Sequence, residues 1–276
     1  MKYRQFSLFH LSLVPIRQPT FETLTDLTRE GWIRRILSSS FEFPYRAGET
    51  LHWVPQEDVE GLIFGIIERS KDRRQHLPPA LGGLEITREE WQGAYVLVDP
   101  AHHEDGQKMA VENDIVGSPQ TLVKYLSNYI NSRDDRPYEF EPSLIFDSSD
   151  YYAFIKDNGP KLSYIKFHFV VPNMWGTAKK LDQDLRESGE ETGAEELDVT
   201  FKSRRGVDGD SQRIREGVDY AARGAGNVRA KSVNGPRYRS DSSPTTTQVE
   251  EREDDVVEES ARDWIGRHWR RILGRE

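Results

Sequence analysis

Ile165, Phe167, Phe169 and Val171 alternate with Tyr164, Lys166 and His168, and Pro172 ends the run. A period of two sends successive side chains to opposite sides of a strand. This stretch therefore reads as a half-buried strand with one apolar and one cationic face. A second run repeats the pattern, with Leu197, Val199 and Phe201 on one side and Asp198, Thr200 and Lys202 on the other. Two such strands need an apolar layer packed on one face and leave the other open.

The neighbouring segments supply that layer. Ala178, Leu181 and Leu185 mark a helix over 177–190. Ser211 caps a helix whose stripe is Ile214, Val218, Ala221 and Ala222, and Gly224 and Gly226 stop it. A strand over 228–233, the turn dipeptide Asn234-Gly235 and a return from Arg237 complete the region. The order β-α-β-α-β-β describes a sandwich with helices over one sheet face.

The N-terminal half mixes both periods. Phe9, Leu11 and Leu13 alternate with His10 and Ser12 as a strand, which Pro15 and Pro19 break. A helix is expected over 22–37, with Leu24, Leu27 and Trp32 among its apolar positions. Strands are expected over 50–55 and 61–68, the second of them buried. Residues 70–84, rich in charge and holding two prolines and two glycines, read as a loop. A strand over 93–99 ends at Pro100 and turns back over 107–112 as a hairpin. Ser118 caps a helix to about Ile130 that carries Leu122, Val123 and Leu126.

A boundary falls in the Asp-, Arg- and Pro-rich segment 131–142. The fold class expected is therefore α+β: two α/β-type domains, over 1–138 and 139–248, and a C-terminal amphipathic helix after an acidic linker, over 249–276. In that tail Val257, Ala261, Trp264, Ile265, His268 and Ile272 form a stripe. Trp264, Ile265, Trp269 and Ile272 are the candidates to pack on the chain's own domain or on a partner or dimer mate. An interfacial membrane helix is the competing reading, which the upstream acids disfavour.

Charge is segregated. The 276 residues carry a formal charge of −9, from 38 Lys and Arg against 47 Asp and Glu. Residues 201–240 hold ten Lys or Arg and four Asp or Glu, a local +6, so the remainder sums to −15. A basic patch on an acidic body results. If the polar sets of the strands coincide, Lys166, Lys202, Arg229, Lys231, Arg237 and Arg239 share one face with His168, Thr200 and Tyr164 nearby. Arg204 and Arg205, with the helix residues Arg213, Arg215 and Arg223, are expected to extend it. Such a surface holds phosphates by charge and hydrogen bonds without reading bases.

Motifs for chemistry are sparse. The chain has no cysteine, which excludes disulfides, a thiolate nucleophile and thiolate-held metals and fits a reducing cytoplasm. The run His102-His103-Glu104-Asp105 sits in a hairpin turn, and its adjacent histidines do not aim at one ion. Asp99, Glu104 and Glu112 with Lys108 only loosely imitate a metal-dependent nuclease. The glycine pairs lack phosphate-loop spacing. No catalytic residue, metal or cofactor is therefore expected. The opening MKYRQFSLFHLSLVPIRQ has no long apolar core or cleavage site, so a cytoplasmic protein is expected.

Longer stretches resemble RexA-type phage-exclusion proteins and, more loosely, KwaB-type defence proteins. GAYVLVDP and QKMAVENDIVGSPQTLVKYL resemble a hairpin and a Gly-x-Pro-led helix there. YIKFHFVVPNMWG and AEELDVTFKSRRG look like the β-α-β segment of the second domain. RIREGVDYA, NVRAKSVNG and PRYRSDSSPTTTQVE resemble the following helix and strands, and DWIGRHWRRILGR the terminal helix. The resemblance implies a dimeric cytoplasmic protein that binds duplex DNA without sequence specificity. It also implies a part in sensing phage infection, with signalling to an effector that is membrane-embedded or otherwise. It carries over no individual residue. The rival expectation is a protein–protein adaptor that touches no nucleic acid and uses the tail helix and acidic segments.

Overall fold

Glu60 and Gly61 both take positive φ, 52° and 83°, and close a two-residue turn between the bridged Val59 and Leu62. That backbone twist matches the twist of strands and starts a hairpin. The computed structural model describes residues 2–16, 28–76, 78–83, 85–101, 103, 106–114, 116–134, 136–170, 187–189, 191–194, 196–251 and 260–275. It is mixed α and β. The chain divides into two units: Met1–Phe6, Pro15–Phe140 and Thr247–Glu276 form the first, Ser7–Val14 and Glu141–Thr246 the second. The boundary read at 138/139 lies beside the division after Phe140. The tail helix, however, belongs to the first unit and residues 7–14 to the second.

The strands are β1 (Lys2–Pro15), β2 (Phe41–Pro44), β3 (Thr50–Pro55), β4 (Ile63–His76), β5 (Glu85–Asp99), β6 (Gln107–Glu112), β7 (Tyr138–Leu144), β8 (Lys161–Val170), β9 (Glu196–Asp208), β10 (Gly226–Ser232), β11 (Arg237–Arg239) and β12 (Thr246–Glu251). The helices are α1 (Arg29–Leu37), α2 (Pro119–Asn131), α3 (Ser148–Asn158), α4 (Gln212–Tyr220) and α5 (Ala261–Ile272). One sheet runs β12-β1-β6-β5-β4-β3-β2, with β7 also on β1, and the other runs β11-β10-β8-β9.

The first unit's core forms where β3, β4 and β5 meet. Trp53 is fully buried and donates its indole N–H to the Leu37 carbonyl at 2.9 Å. A Cβ on Gly65 would stand 2.4 Å from the Trp53 ring, so only glycine lets the strand pass beneath it. Helix α2 starts after Ser118 with proline in its first turn and buries Leu122, Val123, Leu126 and Ile130. Of the helix expected over 22–37, residues 29–37 are helical and the earlier part lies outside the described residues, Thr28 apart.

One expectation is overturned. Residues 70–76, read as part of a loop, continue β4 and pair with β5 as far as His76 opposite Glu85. The result is a two-stranded ribbon of exposed residues. Cross-strand ion pairs Arg73–Glu90 at 3.2 Å and Arg74–Glu85 at 3.5 Å line it. With no buried face, the ribbon has no hydrophobic alternation to read.

In the second unit, Leu162, Ile165, Phe167, Phe169, Val228, Ala230 and Tyr238 pack against Tyr151 and Ile155 of α3 and Ile214 and Val218 of α4. Both helices therefore cover one face. A Cβ on Gly217 would lie 3.0 Å from the Phe167 ring, which marks how closely α4 approaches. The expected helix over 177–190 falls largely outside the described residues, though 187–189 are helical.

Candidate nucleic-acid interface

The register of the four-stranded sheet brings the separate polar sets onto one face. Arg239, Arg229, Lys166 and Thr200 form one row across β11, β10, β8 and β9. Arg237, Lys231, Tyr164 and Lys202 form the next, and Asn227, His168 and Asp198 a third. Side chains in one row stand about 5 Å apart, and successive rows on the face about 6.6 Å apart. Most of these side chains are exposed. Tyr164, Lys166, His168, Asn227 and Lys231 are half-buried among their neighbours.

Like charges oppose each other in three places: Arg229 with Arg239, Lys231 with Arg237, and Arg229 with Lys166. Like charges directly opposite one another destabilise a free sheet. Acids neutralise one member in two of these pairs, Lys166 and Arg239. Asp198 takes Lys166 Nζ at 2.6 Å and lies 3.0 Å from His168 Nδ1, contacts that hold its carboxyl below the usual range. Arg239 donates to Asp241 at 3.0 Å. Among the described residues Lys202, Arg229, Lys231 and Arg237 make no ion pair.

The remaining predicted cations are placed differently. Arg204 and Arg205 are exposed on the irregular stretch of β9 between the Lys202–Tyr164 and Val207–Leu162 pairs, so they adjoin the face. Arg213 and Arg215 stand on α4, which covers the opposite face of the sheet. Arg215 is tied to Asp210 at 2.7 Å. Arg223 lines a groove of about 690 Å³ with Asp147, Asp150 and Asp219, an acidic setting hostile to phosphate. These three arginines are therefore corrected out of the surface. A helix packed on the apolar face turns its polar side away from the sheet's open face.

The tail helix is also corrected in part. Trp264, Ile265 and Ile272 are buried within the first unit, and Trp264 stacks on Phe6 with ring centres 6.4 Å apart. The packing face meant for the chain's own domain or a partner is thus taken by the domain, and of its four candidates only Trp269 stays half-exposed. No helix among the described residues is long and apolar enough to cross a membrane.

The loose carboxylate group of the first unit is bound up as well. Asp99 is 3 % exposed, with Arg275 Nε at 2.9 Å, His103 Nε2 at 3.0 Å and the Ala101 N–H at 3.2 Å. Glu112 accepts from Arg4 at 2.8 Å and from the Tyr95 N–H at 3.0 Å. Arg4 in turn lies over the rings of Tyr95, at 4.6 Å, and Trp264, at 5.5 Å. Glu104, the third member, lies outside the described residues. Among the described residues no group of three His, Asp or Glu stands ready for a metal ion. The Arg4–Glu112 and Arg275–Asp99 contacts each join residues more than a hundred positions apart, which leaves no local trace in the sequence.

Comparison with family models, curated proteins and solved structures finds no match.

Proposed function

We propose that the chain binds duplex DNA without sequence specificity through the open face of its four-stranded sheet. On this reading it serves as a non-catalytic sensor or accessory protein of phage defence that signals to a partner effector. One observation supports the binding more than any other: three directly opposed cation pairs on a face with few acids. Phosphates placed between them would turn a cost into an attraction and release counterions. The described side chains on this face are mainly long cations and hydroxyls, the groups that contact phosphate. The place in phage defence, the homodimer and the cytoplasmic setting rest on the resemblance to RexA-type proteins.

The test is a fluorescence anisotropy titration of two unrelated labelled duplexes at several salt concentrations. Equal affinities and a slope of log affinity on log salt near −0.9 per neutralised phosphate are expected. No binding at low salt would overturn the reading and leave the adaptor as the working alternative. The burial of Trp264, Ile265 and Ile272 would then move the adaptor's interface away from the tail stripe.

A further inference from the structure

β9 is the last strand of the four-stranded sheet, and among the described residues its outer edge pairs with no strand. It is 13 residues long, and an open edge of that length is a template for another strand. The alternation of β9 sets Glu196, Asp198, Thr200, Lys202 and Arg204 on the polar side, so charge passes from acid to base through Thr200.

That order is self-complementary. Antiparallel pairing of β9 with itself, centred on Thr200, sets Asp198 opposite Lys202 and Glu196 opposite Arg204, each twice by symmetry. The other side of the strand agrees in the same register. Val199 meets Phe201, both partly buried apolar residues packed on the unit's core. Centring instead on Asp198 or Lys202 would oppose that residue to its own like charge. Opposite charges across a strand pair stabilise it, and like charges oppose it.

We propose that a second copy of this chain docks on β9 in the register centred on Thr200. The contact is two-fold and closes on itself, so it consumes both open edges and does not propagate. It joins the two sheets into one, and the cation rows of both copies then lie on a single continuous face. The proposal deepens the DNA-binding reading by naming the partner at the margin of that face. Its evidence is the edge and its charges, independent of DNA.

The chain lacks cysteine, so a single introduced thiol reports the register. Directly opposite residues on antiparallel strands have Cα atoms about 4.5–5.5 Å apart, within reach of a disulfide. Under mild oxidation Thr200→Cys should form an intermolecular disulfide, while Arg229→Cys, two strands inward, should not. Sedimentation without DNA should show the wild type as a dimer. Lys202→Asp, which sets a carboxylate opposite the second copy's Asp198, should weaken the dimer at least tenfold with an unchanged circular dichroism spectrum. A wild type that stays monomeric at tens of micromolar would overturn the proposal. So would a dimer that neither cross-links through Thr200→Cys nor responds to Lys202→Asp. A Thr200→Cys-linked dimer that binds no duplex would instead overturn the DNA reading and uphold this one.

Discussion

Arg229 has a cation opposite it on each side, Arg239 on one and Lys166 on the other. A folded chain tolerates that arrangement at a cost, and the cost is what an anion relieves. Lys202, Arg229 and Lys231 changed together to Glu should therefore abolish duplex binding while circular dichroism and melting stay close to wild type. Retained affinity in the folded triple variant would refute the assignment of this face. Glu112 shows the opposite economy, a buried acid beside one arginine. Burial raises its carboxyl above the ordinary 4.5, and Arg4 offsets only part of the rise. A carboxyl with a raised value in the folded state holds its proton more tightly there than in the unfolded chain. Its contribution to stability is then full at low pH and is lost as pH rises through the folded value. Measured against Glu112→Gln, which does not titrate, the wild type should gain stability as pH falls from neutrality towards 4.5. A wild type that loses ground to the variant over that range would contradict the raised value.

Among the elements, the β4–β5 ribbon departs most from what periodicity suggests, and α5 follows it. The outer part of the ribbon opposes Arg73 to Arg88 on one face and Asp72 to Glu89 on the other. Each element of the pair is exposed, so no burial compensates the repulsion. Arg88→Glu gives Arg73 an acid directly across the strand and should stabilise the first unit by about 0.2–1 kcal/mol in urea titrations. A destabilised variant would mean that Arg88 has another anionic neighbour. Helix α5 is capped by Ser260, whose hydroxyl oxygen accepts the Asp263 N–H at 3.2 Å. Its apolar stripe supplies Trp264, Ile265 and Ile272 to the first unit's core. Trp264→Ala should cost about 3–5 kcal/mol of unfolding free energy, and deletion of residues 249–276 should abolish cooperative unfolding of that unit. A truncated chain that melts like the wild type would mean that α5 contributes no core.

At the scale of the molecule the decisive fact is the separation of charge. A chain of net −9 attracts phosphate only where its cations are gathered, and residues 201–240 carry a local +6. Potential falls off over about 10 Å at 0.1 M salt, so the local face outweighs the distant acids as salt rises while its own attraction also weakens. Sequence preference is not expected from this arrangement. A tenfold difference in affinity between two unrelated duplexes would show that some residue reads base edges.

The alternation over 164–170 and 197–202 was legible because the pleat of a strand fixes a period of two, whatever lies around it. So were the hairpin at Asn234-Gly235, the helix after Ser118 and the segregation of charge. Which strands become neighbours is set by hydrogen bonding between distant segments, and that leaves no mark on local sequence. Tertiary structure alone therefore put Arg229 beside Lys166 and Arg239, and turned Arg213, Arg215 and Arg223 away from them. It made a ribbon of residues that looked like a loop, since strands without a buried face carry no hydrophobic signal. It also closed Asp99 with Arg275, a contact across 176 positions that depends on where α5 comes to rest.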